Sequence, residues 1–147
     1  MKFLVDLSLG GLAKWLRFCG FDAENRRLGA ELPPAAPDTY LLTRQESLKR
    51  LARADLVFVN AASPEAQLQE VLGHLKISPR QIQPLSRCSR CNDRLIPVPR
   101  ERVQGRVPEH VFHYHDQFFE CPRCRRVFWP GSHLPAIIKT LQESLKE

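Results

Sequence analysis

The chain of 147 residues has no apolar run approaching the ~20 residues that a membrane-spanning helix needs. No membrane partner is therefore expected. It has no internal repeat and no low-complexity tract, which removes solenoids and compositionally biased segments from consideration. The opening Met-Lys-Phe-Leu-Val-Asp reaches an acid too early for a secretory signal peptide. The expected compartment is the cytoplasm, where thiols stay reduced and bind metal. Between residues 80 and 133 there is no lysine: all 10 basic residues are arginine.

What is present is concentrated in one stretch. Four of the five cysteines form two Cys-x-x-Cys pairs, Cys88-Ser89-Arg90-Cys91 and Cys121-Pro122-Arg123-Cys124, separated by 29 residues. Each tight turn lets both sulfurs point at one ion, and two such turns close a tetrahedral Zn²⁺ site. A lone pair would leave disulfide or redox chemistry open; two pairs in one short segment favour zinc. With Cys88, Cys91, Cys121 and Cys124 as its ligands the zinc is structural, with no open position for a catalytic water. The spacing exceeds that of an ordinary ribbon, so a long hairpin or an inserted loop must fill it. The fifth cysteine, Cys19, falls on the apolar face of a predicted helix and reads as a packing residue.

The charge follows the same division. Residues 1–79 carry 10 Lys or Arg against 9 Asp or Glu, whereas residues 80–133 carry 10 Arg against 5 Asp or Glu, a balance of +5. Arginine forks onto phosphate and stacks on bases. His113, Tyr114, His115, Phe118, Phe119, Phe128 and Trp129 interleave with it, a composition suited to RNA or single strands. A solvated arginine face over a small aromatic core is the plainer reading.

Along the chain, strands are predicted at Lys2–Asp6, 21–24, Thr39–Thr43 and Asp55–Asn60. Helices are predicted at Ser8–Cys19, closed by Gly20, and at Gln45–Arg53. Another starts at Ser63-Pro64-Glu65, where N-cap, first-turn proline and acid stand in order, and runs to about Lys76. Pro33, Pro34 and Pro37 exclude a regular helix in the segment before the third strand. The alternation points to a small α/β domain with a mainly parallel sheet over 1–79, then a four-cysteine zinc ribbon over 80–133. A closing helix within 134–147 is expected to pack back on one of these modules. In such sheets the functional crevice lies at the strands' carboxyl ends, here Asp6, Thr43-Arg44-Gln45-Glu46 and Asn60.

Several separate segments carry a resemblance. They are Met-Lys-Phe-Leu-Val-Asp with Gly11-Leu12-Ala13-Lys14-Trp15-Leu16-Arg17, then Leu41-Leu42-Thr43-Arg44 and Ser63-Pro64-Glu65-Ala66-Gln67-Leu68. In the ribbon they are Arg87-Cys88 through Cys91-Asn92, Gly105-Arg106-Val107-Pro108, the second cysteine pair, and Trp129-Pro130-Gly131-Ser132-His133. Together they resemble the PIN-like ribonuclease domain with a C-terminal zinc ribbon, first named from the C-terminal part of the Mut-seven exonuclease. The resemblance implies a PIN-like α/β nuclease domain in which acids at the strand ends hold Mg²⁺ or Mn²⁺ and cut RNA by metal-activated water.

Asp6 matches the family's first acid. Glu31 is the only stand-in for the next ones, the third position is Gln45 with Glu46 one residue on, and the pair before the last helix is Ala62-Ser63. The expected function is therefore RNA binding on a nuclease scaffold whose acidic cluster is partly lost. A Mg²⁺- or Mn²⁺-dependent endoribonuclease acting through Asp6 and a reduced cluster is the alternative, and a protein-interaction adaptor the third. Candidate RNA contacts are Arg44, Arg87, Arg90, Arg106, Arg123, Arg125, Arg126, Trp129 and His133, with structured RNA such as ribosomal or transfer RNA as the partner. His113 and His115 alternate as on a strand and are expected to face one side.

Overall fold

The computed structural model describes residues 1–130 and 133–145, which group into two units: Met1–Arg17 with Phe21–Ile77, and Phe18–Gly20 with Ser78 onward. Among the described residues no helix is long and apolar enough to cross a membrane.

The first unit is built on four parallel strands, β1 (Lys2–Val5), β2 (Asp22–Asn25), β3 (Thr39–Thr43) and β4 (Leu56–Phe58), in the order β2-β1-β3-β4. Side chains alternate across a strand, so both faces need cover. On one face Leu4, Leu41 and Leu56 pair across the sheet and pack with Leu28 and Leu48. On the other face stand the buried Phe3, Val5 and Leu42, with the Phe3 ring edge-on to Phe21 at 5.5 Å. The helix predicted over Ser8–Cys19 begins as a 3₁₀ turn, Leu7–Leu9, and continues as α1 (Gly10–Phe18). Leu12, Ala13 and Leu16 are its buried stripe. α2 (Pro64–His74) starts as predicted, with Ser63 Oγ accepting from the Ala66 N–H at 3.3 Å. It buries Leu68, Val71 and Leu72. A Cβ on Gly11 would stand 2.7 Å from Pro64 Cγ, so the glycine permits the close approach of α1 and α2. The Gln45–Arg53 helix is instead a 3₁₀ segment, Glu46–Leu51, stopped at Ala52 in the left-handed region (φ 48°). Arg53 forks onto Asp55 (2.9 and 2.6 Å) and donates to the Pro33 carbonyl (2.7 Å), which ties the proline-rich segment to the start of β4.

The second unit carries an antiparallel sheet, β5 (Ile96–Val98), β6 (Phe118–Glu120) and β7 (Val127–Phe128), with β6 central. The long gap between the cysteine pairs is an insertion with its own core. A 3₁₀ turn, Arg100–Val103, and α3 (Glu109–Tyr114) bring Val103 and Val111 against Val98 and Phe118. This corrects the strand-like reading of the histidines. His113 lies within α3 and pairs with Glu109 (3.2 Å), and His115 is the extended residue that ends the helix. The helix wins because Val111 and Phe112 pack inward after Pro108 opens it. α4 (His133–Ser144) buries Ile138 and Leu141, and Gln142 Nε2 donates to the Ile82 and Pro79 carbonyls (3.0 and 3.4 Å). Gly20 (φ 90°) also belongs here: a Cβ on it would stand 2.5 Å from the Gln83 carbonyl oxygen.

Candidate functional site

The chain runs from β1 outward to β2 and returns on the other side of β1 to β3. The order therefore reverses between β1 and β3, where parallel sheets open a crevice at their carboxyl ends. A cleft of about 320 Å³ lies at these ends, lined by Asp6, Leu7, Arg27, Leu28, Gly29 and Gln45.

Asp6 follows β1 and is buried, 4 % exposed. Its Oδ1 accepts from the Leu7 N–H (2.9 Å) and, more distantly, the Leu28 N–H (3.4 Å). Its Oδ2 accepts from Thr43 Oγ1 (2.8 Å) and from Gln45 Nε2 (2.6 Å). A carboxylate offers about four acceptor positions, and four donors from the chain engage them. The same Gln45 nitrogen donates to the Leu28 carbonyl oxygen at 2.6 Å. Both partners are acceptors, so the NH₂ end of the amide must face them. Gln45 thus bridges the Asp6 carboxylate and the Leu28 carbonyl across the cleft. Thr43 Oγ1 is held in turn by the Gln45 backbone N–H (3.0 Å).

The other expected acids stand apart from this cleft. Glu31 is exposed and does not line it, and Glu46 turns outward to pair with Lys49 (2.9 Å). In the loop after β4, Glu70 accepts from the backbone N–H groups of Asn60 and Ala61 at 2.8–3.0 Å, while Arg44 Nη1 and Gln67 Nε2 donate to the Ala61 carbonyl. Leu28 and Arg27 are site residues that the sequence did not single out, whereas Thr43 stands among the strand-end residues named for the crevice.

In the second unit Cys88, Cys91, Cys121 and Cys124 come together, with their sulfurs within 4.8 Å of one another. Around a tetrahedral ion with bonds of ~2.3 Å, sulfurs stand about 3.8 Å apart; Cys88 and Cys124 are 3.7 Å apart. The two knuckles repeat one another. The Cys91 N–H approaches Cys88 Sγ at 3.3 Å as the Cys124 N–H approaches Cys121 Sγ at 3.5 Å. Asn92 donates to the Cys88 carbonyl as Arg125 donates to the Cys121 carbonyl, and both residues sit at φ 67°. Burial and then the neighbouring thiols push Cys91 up to about 12. Burial opposes ionisation of Cys124 as well, but the Arg126 backbone N–H and the surrounding thiols bring it down to about 7. A divalent ion removes this competition between sulfurs. The four cysteines are positioned to hold a metal ion, and the geometry is consistent with zinc. Among the described residues this is the one such group of His, Cys, Asp or Glu side chains. Cys19 is buried, its thiol pushed up to about 12 by that burial.

Most of the arginines named from the sequence have partners within the chain. Arg87 donates to the Gly20 and Asn92 carbonyls and Arg123 to Asp93 (2.8 Å). Arg106 (2.7 Å) and Arg125 (3.3 Å) both donate to Glu120, a residue the sequence did not mark. Arg90 also has an interaction within the chain, and Arg126 is exposed. Trp129 packs against the Val98–Phe118 core. Of the Trp-Pro-Gly-Ser-His segment, Gly131, Ser132 and the His133 side chain lie outside the described residues.

The family model of the Mut7-C RNAse domain matches residues 1–141, and so spans both units. No curated protein and no solved structure matches the chain.

Proposed function

The chain belongs to the Mut7-C RNAse domain family, and from that premise we propose that it binds RNA through a zinc-held, arginine-rich ribbon, without turnover at its strand-end cleft. The observation that carries the second half is the Gln45 amide, which spans Asp6 Oδ2 and the Leu28 carbonyl at 2.6 Å each. Metal-assisted hydrolysis needs clustered oxygen ligands with charge to hold the ion. Among the described residues Asp6 is the only carboxylate lining the cleft, and its acceptor positions are engaged by neutral donors. Zinc in the ribbon would be held by Cys88, Cys91, Cys121 and Cys124, where four thiolates fold the second unit and leave no open position for chemistry.

RNA binding is supported by family membership, by the excess of arginine in the ribbon, and by the exposed Arg27 at the cleft. Phosphate contacts of this kind weaken steeply with salt.

The test is a binding and cleavage assay on labelled RNA with zinc-loaded protein and Mn²⁺, run beside Asp6→Asn and Gln45→Asp. The expected result is salt-dependent binding with no cleavage by the natural sequence. Cleavage that Asp6→Asn abolishes would replace this reading with that of a working ribonuclease. Undetectable binding would remove the RNA reading.

A further inference from the structure

Glu120 occupies a position where an apolar side chain would be cheaper. It lies on β6 two residues from Phe118, and both are buried on the same face. Burying a carboxylate carries a desolvation cost that hydrophobic replacements of buried ion pairs avoid. Its environment shows what that cost maintains. Arg106 Nη1 lies 2.7 Å from Oε1, Arg125 Nη1 3.3 Å from Oε2 and Arg102 Nη2 3.9 Å from Oε2. The second Arg106 amino group donates to the Arg125 carbonyl (2.6 Å), which links two of the three cations directly.

The carboxylate is the inner half of this cluster. The outer half is three guanidiniums whose side chains are 54 % (Arg102), 35 % (Arg106) and 65 % (Arg125) exposed. Three positive charges on one negative charge leave a balance of +2. Each guanidinium has five N–H donors in a fixed fork, and the bonds to Glu120 and the backbone use only some of them. Arg125 is held at φ 67°, a region where glycine or asparagine is the easier choice. The equivalent position of the first knuckle does carry asparagine, Asn92. The knuckle turn sets this backbone conformation in both places, and in the second it presents an arginine.

We propose that Arg102, Arg106 and Arg125, oriented by Glu120, form a phosphate-binding fork on the ribbon that takes backbone phosphates of RNA. This deepens the RNA reading above and rests on it. Glu120 is a positioning residue: it touches the arginines and not the ligand. The fork is sequence-neutral, because phosphates position a strand without reading its bases.

The experiment measures anisotropy of a fluorescein-labelled oligouridylate on the full, zinc-loaded chain across a salt series. It compares Arg102→Ala and Arg125→Ala with Arg50→Ala, a charge-matched control in the first unit. Zinc content establishes that each variant is folded, and Arg102→Ala, outside both knuckles, carries the test if Arg125→Ala loses zinc. The expected result is a salt slope lowered by roughly 0.7 in each fork variant and unchanged in Arg50→Ala. Equal effects in all three would overturn the fork and leave RNA binding standing. Glu120→Gln removes one negative charge; weaker binding by a folded variant supports positioning, and tighter binding means that net charge alone acts. Inorganic polyphosphate and polyglutamate complete the comparison. Fork-dependent binding of polyphosphate without oligouridylate binding would sink the RNA reading while keeping a phosphate site. Polyglutamate bound as tightly as RNA would mean an acidic protein partner and overturn the proposal, as would no binding of any polyanion.

Discussion

Gln45 uses one nitrogen to hold two oxygens, Asp6 Oδ2 and the Leu28 carbonyl, that would otherwise be left facing one another across the cleft. Gln45→Glu keeps the size of the side chain and replaces that donor with an acceptor. Two carboxylates then share a site, a repulsion that only a proton or a cation relieves. The variant is expected to melt about 5 °C below the natural chain when both are zinc-loaded without added Mn²⁺, and to recover most of that loss with Mn²⁺, which leaves the natural chain unmoved. Scanning calorimetry with and without Mn²⁺ decides it; a Mn²⁺-insensitive Gln45→Glu would show that the cleft lacks the remaining ligands. Asp55 makes a second prediction at this scale. Hydrogen bonds from Arg53, and then its charge, hold Asp55 below the usual carboxylate range in spite of its burial. A depressed folded pKa means that the unfolded chain takes up the proton first. The stabilisation is complete above the unfolded value of about 3.9 and drains as pH falls through the folded one. Asp55→Asn should cost on the order of 1 kcal/mol at neutral pH and flatten the acid limb of stability. Urea unfolding followed by Trp15 fluorescence in a Trp129→Phe background measures both.

Among the elements, those with strong local signals were legible in the sequence. Thr39–Thr43 forms β3 with the predicted bounds, and Ser63-Pro64-Glu65 opens α2, because a capping residue and a first-turn proline act locally. The two knuckles were legible for the same reason. The insertion between them was not. Phe112 to His115 alternates as a strand would, and only the burial of Val111 and Phe112 against Val98 and Phe118 makes it the end of a helix. Gln45 could be seen to lack charge, but not that its amide would turn toward Asp6, since that depends on the Leu28 carbonyl arriving from a proline-broken segment. Glu120 reads in sequence as one more acid before a cysteine; its burial and three arginine partners are tertiary facts. The knuckles also give a prediction. Cys19 is buried with its thiol pushed up to about 12, whereas the other four cysteines are positioned to hold a metal ion. Chelation should therefore release four thiols to a thiol-reactive dye while the fifth reacts only in denaturant. Five fast thiols on chelation would mean that Cys19 is protected by the ribbon's metal and not by its own burial.

At the scale of the whole molecule, the second unit is discontinuous in sequence. The Cys19 carbonyl accepts from the Gln83 N–H (2.8 Å), and the Gly20 carbonyl accepts from Arg87 Nε (3.2 Å) one residue before the first metal-binding cysteine. Gly20→Ala places a Cβ 2.5 Å from a backbone oxygen at φ 90°, where only glycine is comfortable. That substitution is expected to weaken zinc retention although Gly20 lies far from every cysteine ligand in sequence. Competition with a chromogenic chelator checks it, and unchanged retention would mean that the ribbon closes without this segment.

The dependence has a direction in time as well. On the ribosome, Phe18–Gly20 is made early, and the residues that receive it come only after the whole of the first unit has been translated. Its carbonyls must stay hydrated until then. The metal-binding unit is not wholly a late product of synthesis: its first piece, Phe18–Gly20, is translated before most of the first unit.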